Sequence, residues 1–156
     1  MSFGKRRGMS LVELIVAFTI LALLTTMAVP LARYKVRRDR ERELRYALRE
    51  MRTAIDKYKD MADAGQIPPT ETTADADGYP TSLDSLVDGV KLSGTVDRKV
   101  RLLRRIPKDP MTGTYDWGKR STRDEAKSTS WGGQNIFDVY TKSIEKASDG
   151  TAYSEW

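Results

Sequence analysis

The sequence contains no cysteine and no histidine. The first absence excludes disulfides, thiol nucleophiles and thiolate metal sites. The second removes imidazole, the side chain used most often in catalytic triads, general acid–base pairs and zinc centres. The commonest tools of catalysis are therefore missing from this chain, whose 156 residues favour a single domain.

Charge is missing from one long stretch. No residue between positions 14 and 32 is charged, and the only polar side chains there belong to three threonines. As a helix this stretch would measure roughly 28 Å, close to the thickness of the hydrocarbon core of a membrane. We therefore expect a membrane-spanning helix, preceded by a short basic segment at residues 1–8.

A charged stretch without glycine or proline follows, from Arg33 to about Ala64. Its second half carries an apolar residue every three or four positions, the pattern of an amphipathic helix that packs one face on a core. Its first half, residues 33–45, has seven basic and three acidic residues. Such a helix stands in solvent or pairs with partners. The apolar stripe consists of Leu44, Leu48, Met51, Ile55 and Tyr58.

Together these segments predict one long helix from about Met9 to Ala64. The apolar run must be helical if it lies in lipid, because a single segment has no other way to satisfy its backbone there. Pro30 lies inside the helix and is expected to kink or loosen one turn. Gly65 and the Gln-Ile-Pro-Pro that follows it end the helix.

The C-terminal region, from Gly65 onward, alternates turn residues with short apolar runs. Residues 79–89 predict a short helix that begins with a weak capping box formed by Thr81 and Asp84. A second helical piece is expected within residues 100–110, before Pro107 stops it.

Aromatic and β-branched residues predict strands within residues 112–118 and 135–143, and a last strand within residues 148–156. So small a region cannot bury much apolar surface alone. We therefore expect an α+β fold in which the apolar stripe of the long helix packs on a small antiparallel sheet.

The N-terminus has several interpretations. Lys5, Arg6 and Arg7 before an apolar run fit a Sec signal peptide cleaved near Ala28, although the run exceeds the usual length of about 7–15 residues. The same features fit a plain membrane anchor that is retained. Neither explains Glu13, because a carboxylate in an apolar layer costs free energy.

The stretch RRGMSLVEL, residues 6–14, resembles the class III signal of type IV pilins and type II secretion pseudopilins. The resemblance implies that a membrane aspartyl peptidase, the prepilin peptidase, cuts after Gly8 and methylates the new amino terminus at Met9. It implies assembly roles for Glu13 and for Pro30, which falls where the family tends to carry a helix-breaking proline. The family usually has Phe and Thr after the cut, where this chain has Met9 and Ser10.

A contact between neighbouring subunits would explain Glu13. After cleavage the amine of Met9 is a positive charge in or near the membrane, and a small axial offset brings it to Glu13 of the next subunit. An ion pair about 4 Å apart is worth on the order of 4 kcal/mol gross at an effective dielectric constant of 20. A lone charge in the apolar layer instead costs a few kcal/mol. We therefore expect Glu13 to set the register of assembly, the alternative being a carboxylate at the lipid headgroups.

Residues 33–45 carry more positive charge than the leader, and charge alone would place the C-terminal region in the cytoplasm. The resemblance implies the opposite: a single pass through the inner membrane and a periplasmic C-terminal region. Interleaved acids and the lack of a base-reading motif argue against nucleic acid as a partner. Charge pairs between subunits are expected instead from Arg37, Arg38, Asp39, Arg40, Glu41, Arg42 and Glu43.

Two later segments, GYPTSLDSL at residues 78–86 and RRIPKDP at residues 104–110, resemble the G-class major pseudopilin of type II secretion. The lack of cysteine fits, since many type IV pilins close a C-terminal disulfide loop. Many G-class subunits bind calcium between C-terminal strands. Asp138 and Asp149 are the candidate ligands here, but no continuous acidic calcium loop exists, and we expect no other cofactor.

The predicted precursor has four parts: a basic leader (1–8), a transmembrane assembly helix (9–32), the periplasmic half of the long helix (33–64) and an α+β globular region (65–156). The resemblance implies a non-enzymatic subunit that polymerises with itself into a periplasmic pseudopilus and drives protein secretion. Its implied partners are prepilin peptidase, minor pseudopilins and an inner-membrane assembly platform. The alternatives are a type IV pilus subunit, serving adhesion, motility or DNA uptake, and a Sec-exported periplasmic binding protein.

Overall fold

A long helix dominates the structure, a computed structural model that describes residues 10–70, 73–94 and 98–156, and only the backbone of residues 27–31. This helix, α1, extends over Leu11–Asp63 and includes Pro30. The long helix expected from the sequence is thus confirmed, and the kink at Pro30 stays a prediction. The chain forms two compact units, Met1–Asp39 and Arg40–Trp156.

The first unit has no core in its described part. Every described side chain at residues 10–26 and 32–39 is exposed to solvent. The helix here is therefore held by its own backbone hydrogen bonds and not by packing within the unit.

The second unit contains a compact core built on the later part of α1. All five residues of the apolar stripe are buried, with at most 3% of their surface exposed. They pack against fully buried residues from the C-terminal region, among them Leu86, Trp117, Ile136, Val139 and Tyr153. The expected packing of one helix face on an α+β region is confirmed.

The strands of this unit form two antiparallel two-stranded sheets. A short helix, α2 (Asp84–Asp88), precedes the first sheet, as expected. The first sheet pairs β1 (Val90–Lys91) with β2 (Lys99–Val100), and the second pairs β3 (Gly118–Arg120) with β4 (Asp138–Tyr140).

Several expected elements are wrong, because the backbone there forms other hydrogen bonds, to side chains or to distant carbonyls. The strand expected at residues 112–117 is a turn, because Asp109 accepts hydrogen bonds from the amide of Met111 and the hydroxyl of Thr112. No helix forms within residues 101–110, where the amides of Leu102 and Leu103 both donate to the carbonyl of Leu86.

The capping box of α2 is also wrong. The hydroxyl of Ser82 accepts the amide of Ser85 at 3.2 Å, and the residue before the helix makes no side-chain cap. The last expected strand is reduced to one bridge between Lys146 and Ala152, followed by a 3-10 turn.

Gly118 allows the second sheet to be covered by an aromatic ring. It pairs with Tyr140 across the sheet, and a Cβ at this position would overlap the Tyr140 ring. The ring is fixed because its hydroxyl donates to the carbonyl of Thr129 at 3.0 Å, and the guanidinium of Arg120 lies 4.0 Å from its centroid. The sheet therefore requires a residue without a side chain opposite Tyr140.

We expect Gly118→Ala to lower the free energy of unfolding by about 1–3 kcal/mol, the usual cost of overpacking. Urea unfolding of the full chain in detergent, followed by tryptophan fluorescence, measures it. In a Tyr140→Leu background the same substitution should cost much less. Equal costs in both backgrounds would show that the ring is not what Gly118 accommodates.

Candidate assembly surface

In the first unit, residues 11–24 of α1 present large apolar side chains on all sides of the helix. Their exposed fractions run from 40% at Leu14 to 76% at Leu11. A helix that is apolar all round is normally buried, in a protein core or in a membrane, and exposed apolar surface of this extent marks an interaction site. These side chains are Leu11, Val12, Leu14, Ile15, Val16, Phe18, Ile20, Leu21, Leu23 and Leu24.

The hydroxyls of three threonines in this helix donate hydrogen bonds to carbonyls of the helix backbone. Thr19 and Thr25 donate to the backbone carbonyls of Ile15 and Leu21, four residues earlier, at 2.8 and 2.7 Å. Thr26 donates to the carbonyl three residues earlier at 2.7 Å. An unsatisfied hydroxyl in an apolar layer would cost free energy, so these bonds make the helix compatible with an apolar environment.

Glu13 is the exception on this surface. It lies exposed in the first turn of α1, and it makes no hydrogen bond or ion pair within the described part of the chain. The positive end of the helix dipole favours a carboxylate there by about 0.3–1 kcal/mol. That is less than the roughly 2.5–3.5 kcal/mol that insertion scales assign to a charge at the centre of a membrane helix. The described residues therefore supply no contact that offsets the cost of this charge in an apolar layer.

The cleavage site lies outside the described residues. Gly8 and Met9 are both among residues 1–9, so processing after Gly8 stays a prediction. Across residues 10–70, 73–94 and 98–156, no helix combines the length and the apolar character needed to cross a membrane.

The charged segment expected to pair between subunits already makes contacts inside the chain. Glu41 is half-buried and accepts a 2.7 Å hydrogen bond from the hydroxyl of Tyr153, which is fully buried in the core. Arg37, Asp39 and Arg42 also have interactions within the chain. The tie between Glu41 and Tyr153 joins residues 112 positions apart, which no local pattern could have predicted. Pairing of this segment with other subunits stays a prediction.

Asp138 joins α1 to the second sheet through an arginine cluster. Arg52 donates to both carboxylate oxygens of Asp138, at 2.6 and 3.3 Å, and also to the carbonyl of Val139 at 3.2 Å. Arg120 donates to the same carboxylate at 3.4 Å and to the carbonyls of Ser128 and Ser154. Bidentate pairs of this type fix geometry as well as adding energy.

Both expected calcium ligands, Asp138 and Asp149, accept hydrogen bonds from other residues of the chain. Asp149 accepts the amide and the hydroxyl of Thr151 at 2.9 and 2.6 Å, and these hydrogen bonds hold the pKa of Asp149 below its usual value. Within the described ranges, no group of three or more Asp, Glu, His or Cys residues could hold a metal ion. Calcium at Asp138 and Asp149 stays a prediction that the geometry does not strengthen.

The loop between β3 and β4 contains buried oxygen atoms without partners. Asp124 accepts the amides of Ser121 and Gly132 at 2.7 and 3.1 Å. Nearby in sequence, the hydroxyl oxygen of Ser121 and the amide oxygen of Gln134 are buried, and within the described residues neither has a hydrogen-bond partner. One carboxylate and two neutral oxygens fall short of the six to eight ligands that calcium takes.

The segment at residues 104–110 is a structural turn. Asp109 is fully buried, and its carboxylate accepts the hydroxyl of Thr141, just after β4, at 2.5 Å. Its own carbonyl accepts the amide of Gly113 at 2.8 Å, and the indole of Trp117 donates to the carbonyl of Pro107 at 2.9 Å. The aspartate thus ties this turn to the second sheet.

The Tyr-Pro-Thr segment is bound to the same sheet. The carbonyl of Pro80 accepts the amide of Ile136 at 2.7 Å. The buried side chain of Asn135 donates to the carbonyl of Ala76 and accepts the amide of Thr122, both at 3.1 Å. Both segments that resemble the G-class subunit therefore hold the second sheet in place.

Comparison with known families gives one finding. A family model described as the prokaryotic N-terminal methylation motif matches residues 4–29. This motif supports a pilin-like protein, that is, a type IV pilus or pseudopilus subunit in general. The motif implies processing by prepilin peptidase and assembly into filaments. No curated protein and no solved structure matches the chain.

The loop carboxylate Asp124 predicts a pH dependence of stability. Hydrogen bonds from the amides of Ser121, chiefly, and Gly132 lower the pKa of Asp124 below its ordinary value. A lowered pKa in the folded state stabilises the fold above the unfolded value of about 3.9. That contribution is lost as the pH falls through the lower, folded value.

We expect Asp124→Asn to be less stable than the native chain at pH 7 and to approach it in strongly acidic buffer. Urea midpoints over a range of pH provide the test. Asp88→Asn, at an exposed position of α2, is the matched control and should leave the pH profile unchanged. If the urea midpoints of Asp124→Asn and the native chain differed by the same amount at every pH, the stabilising role of the Asp124 carboxylate would be contradicted.

Proposed function

We propose that this chain is the major structural subunit of a periplasmic pseudopilus, which polymerises to drive protein secretion through a type II secretion system. The observation that carries the proposal is the methylation motif at residues 4–29, followed by a helix with apolar side chains uncovered on all sides and one carboxylate without a described partner. Subunits of this kind are structural and not enzymatic.

The geometry supports a simple assembly scheme. The precursor crosses the inner membrane once through the uncharged run at residues 14–32, with its C-terminal region in the periplasm. Cleavage after Gly8 frees the amine of Met9. Apolar helices of neighbouring subunits then cover one another, and Glu13 pairs with the amine of a neighbour. The assembly platform and minor pseudopilins are the further partners in this scheme.

The choice of a pseudopilus over a pilus rests on the C-terminal region. The Tyr-Pro-Thr and Pro-Lys-Asp-Pro segments resemble the G-class subunit, and both have a defined task in holding the second sheet. The chain also lacks the cysteines with which many pilins close a loop. A type IV pilus subunit would share the N-terminal features and is the alternative.

The first test is the mature amino terminus in the native host. We expect mass spectrometry of the membrane-extracted protein to give a chain that begins at Met9 and carries one methyl group on its amine. A chain that begins at Val29 would indicate a secretory signal peptide, and one that retains Met1 would indicate a plain anchor. Either result would refute the proposal.

The second test is Glu13→Gln, which removes the charge and keeps the size of the side chain. Fibre yield should fall by at least about tenfold, because tenfold requires only ~1.4 kcal/mol of an interaction worth ~4 kcal/mol gross. Sedimented fibres and the intact membrane pool are quantified by immunoblot. Secretion should fall with the fibres.

Glu125→Gln, at an exposed loop position, is the control and should leave assembly unchanged. Normal fibre yield in Glu13→Gln would remove the register role from Glu13. Loss of surface pili with normal secretion would favour the pilus alternative.

A further inference from the structure

A groove of about 430 Å³ lies beside α1 in the second unit. One wall is a face of α1, and the other is the segment that leads into the buried Asp109 turn. The charged groups on the two walls differ in sign, with two carboxylates on the helix and three cations on the segment. The groove is lined on the α1 side by Glu43, Tyr46 and Glu50, and on the side of the segment by Arg104, Arg105 and Lys108.

The cations that line this groove have no partner among the described residues. Arg104, Arg105 and Lys108 are exposed, and across the described residues they make no hydrogen bond or ion pair. Tyr46 and Tyr115, which also line the groove, are 69% and 64% exposed. Arginine and tyrosine are enriched at protein interfaces, and a tyrosine ring covers much area at low entropic cost.

The C-terminal end of α1 presents an acidic face, which consists of three aspartates. Asp56, Asp60 and Asp63 follow at spacings of four and three, so they share one face of the helix. All three are exposed, and this face is turned away from the apolar stripe that packs on the core. Carboxylates one turn apart repel one another.

The helix dipole adds to this repulsion. The C-terminal end of α1 is its negative pole, and its last turn has no basic residue. At this end of α1 the described residues form one ion pair, between Lys59 and Asp63 at 2.6 Å, and this hydrogen bond raises the pKa of Lys59. Asp56 and Asp60 have no ion pair among the described residues, so cations from outside would stabilise this face.

We propose that the groove receives the acidic face of α1 from a second copy of this chain. The inference rests on the proposed function, because it assigns one contact within the fibre. Arg104, Arg105 and Lys108 pair with the incoming Asp56 and Asp60. Lys57 of the incoming helix, beside those carboxylates, faces the wall that carries Glu43 and Glu50, so both signs of charge are matched.

Such a contact is head-to-tail, since the groove and the acidic face are different surfaces of one subunit. Heterologous contacts of this type generate closed rings when the rotation closes and open helical filaments when it does not. The latter is the arrangement that the proposed fibre uses. The groove lies at positions 43–50 of α1 and the acidic face at positions 56–63, so the two parallel chains of this contact would be offset by about 20 Å along the helix. That offset exceeds the roughly 6 Å that separates Met9 from Glu13 along a helix, so the groove contact joins a different pair of subunits from the Glu13–Met9 contact.

The absence of native cysteine allows a direct test in the full chain. Asp60→Cys and Arg105→Cys are introduced singly and together in the native host, and fibres are treated with a short bismaleimide. This reagent suits the pair because Arg and Asp side chains hold their Cα atoms farther apart than a disulfide allows. Leader removal and sedimentation of fibres are measured in the same cells.

The double variant should give a ladder of dimers and longer species. Each single variant alone should give none, and two single variants in one cell should give dimers only. Arg123→Cys combined with Asp60→Cys is the matched control, because it also replaces an exposed arginine, and it should give no ladder.

Three results would overturn the inference. A single variant that crosslinks to itself would indicate a symmetric pair of like surfaces. A control ladder as strong as that of the test pair would indicate random collisions. Sedimented fibres of processed chain without a ladder would refute this contact and leave the proposed function intact, whereas an uncleaved chain that forms no fibre would refute both.

Charge reversal gives an independent readout. Replacing Arg104 and Arg105 by Glu should reduce fibre yield, and the further changes Asp56→Arg and Asp60→Arg should restore it. If the acidic face binds lipid headgroups or another protein through other surfaces, the second pair of changes will not rescue the first, and the inference fails.

Discussion

Assembly, as proposed, depends on one carboxylate, Glu13, for which the described residues provide no partner. Glu13 stands in the first part of α1, where the other described side chains of residues 11–26 are apolar or are threonines bonded to the backbone, and the helix end offsets only a fraction of the cost of its charge. In the proposed fibre this charge is unfavourable in an apolar layer until a neighbour supplies a cation, so relief of that penalty would favour assembly.

The second unit differs from the first in how its helix is stabilised. Its part of α1 packs on a core within the chain. Leu44, Met51 and Ile55 are fully buried, and Arg52 anchors the helix to β4 through Asp138. The same helix therefore has one segment without a core and another that forms a core wall. This division lets the fold of the C-terminal region remain intact while the apolar segment is available for assembly.

The features that the sequence predicted well are those with a strong local period or spacing. The stripe from Leu44 to Tyr58 identified the core, and the order of basic residues, glycine, glutamate and apolar run identified the methylation motif. The features it missed depend on contacts between distant positions. Asp109, which turns a predicted strand into a loop, is tied to Thr141, and Tyr153 reaches Glu41 across the unit. The groove could not be predicted, because its two walls come from separate segments.

The most direct measurement is the distance between Glu13 and the amine of Met9 inside the fibre. Fibres assembled from two pools of chain, one isotope-labelled at the glutamate carboxyl carbons and the other at the methionine nitrogens, report only contacts between different subunits by solid-state NMR. The account predicts a dipolar coupling that places the Glu13 carboxylate about 4 Å from the methylated amine of a neighbour, as an ion pair requires. Absence of this coupling in well-ordered mixed fibres would contradict it.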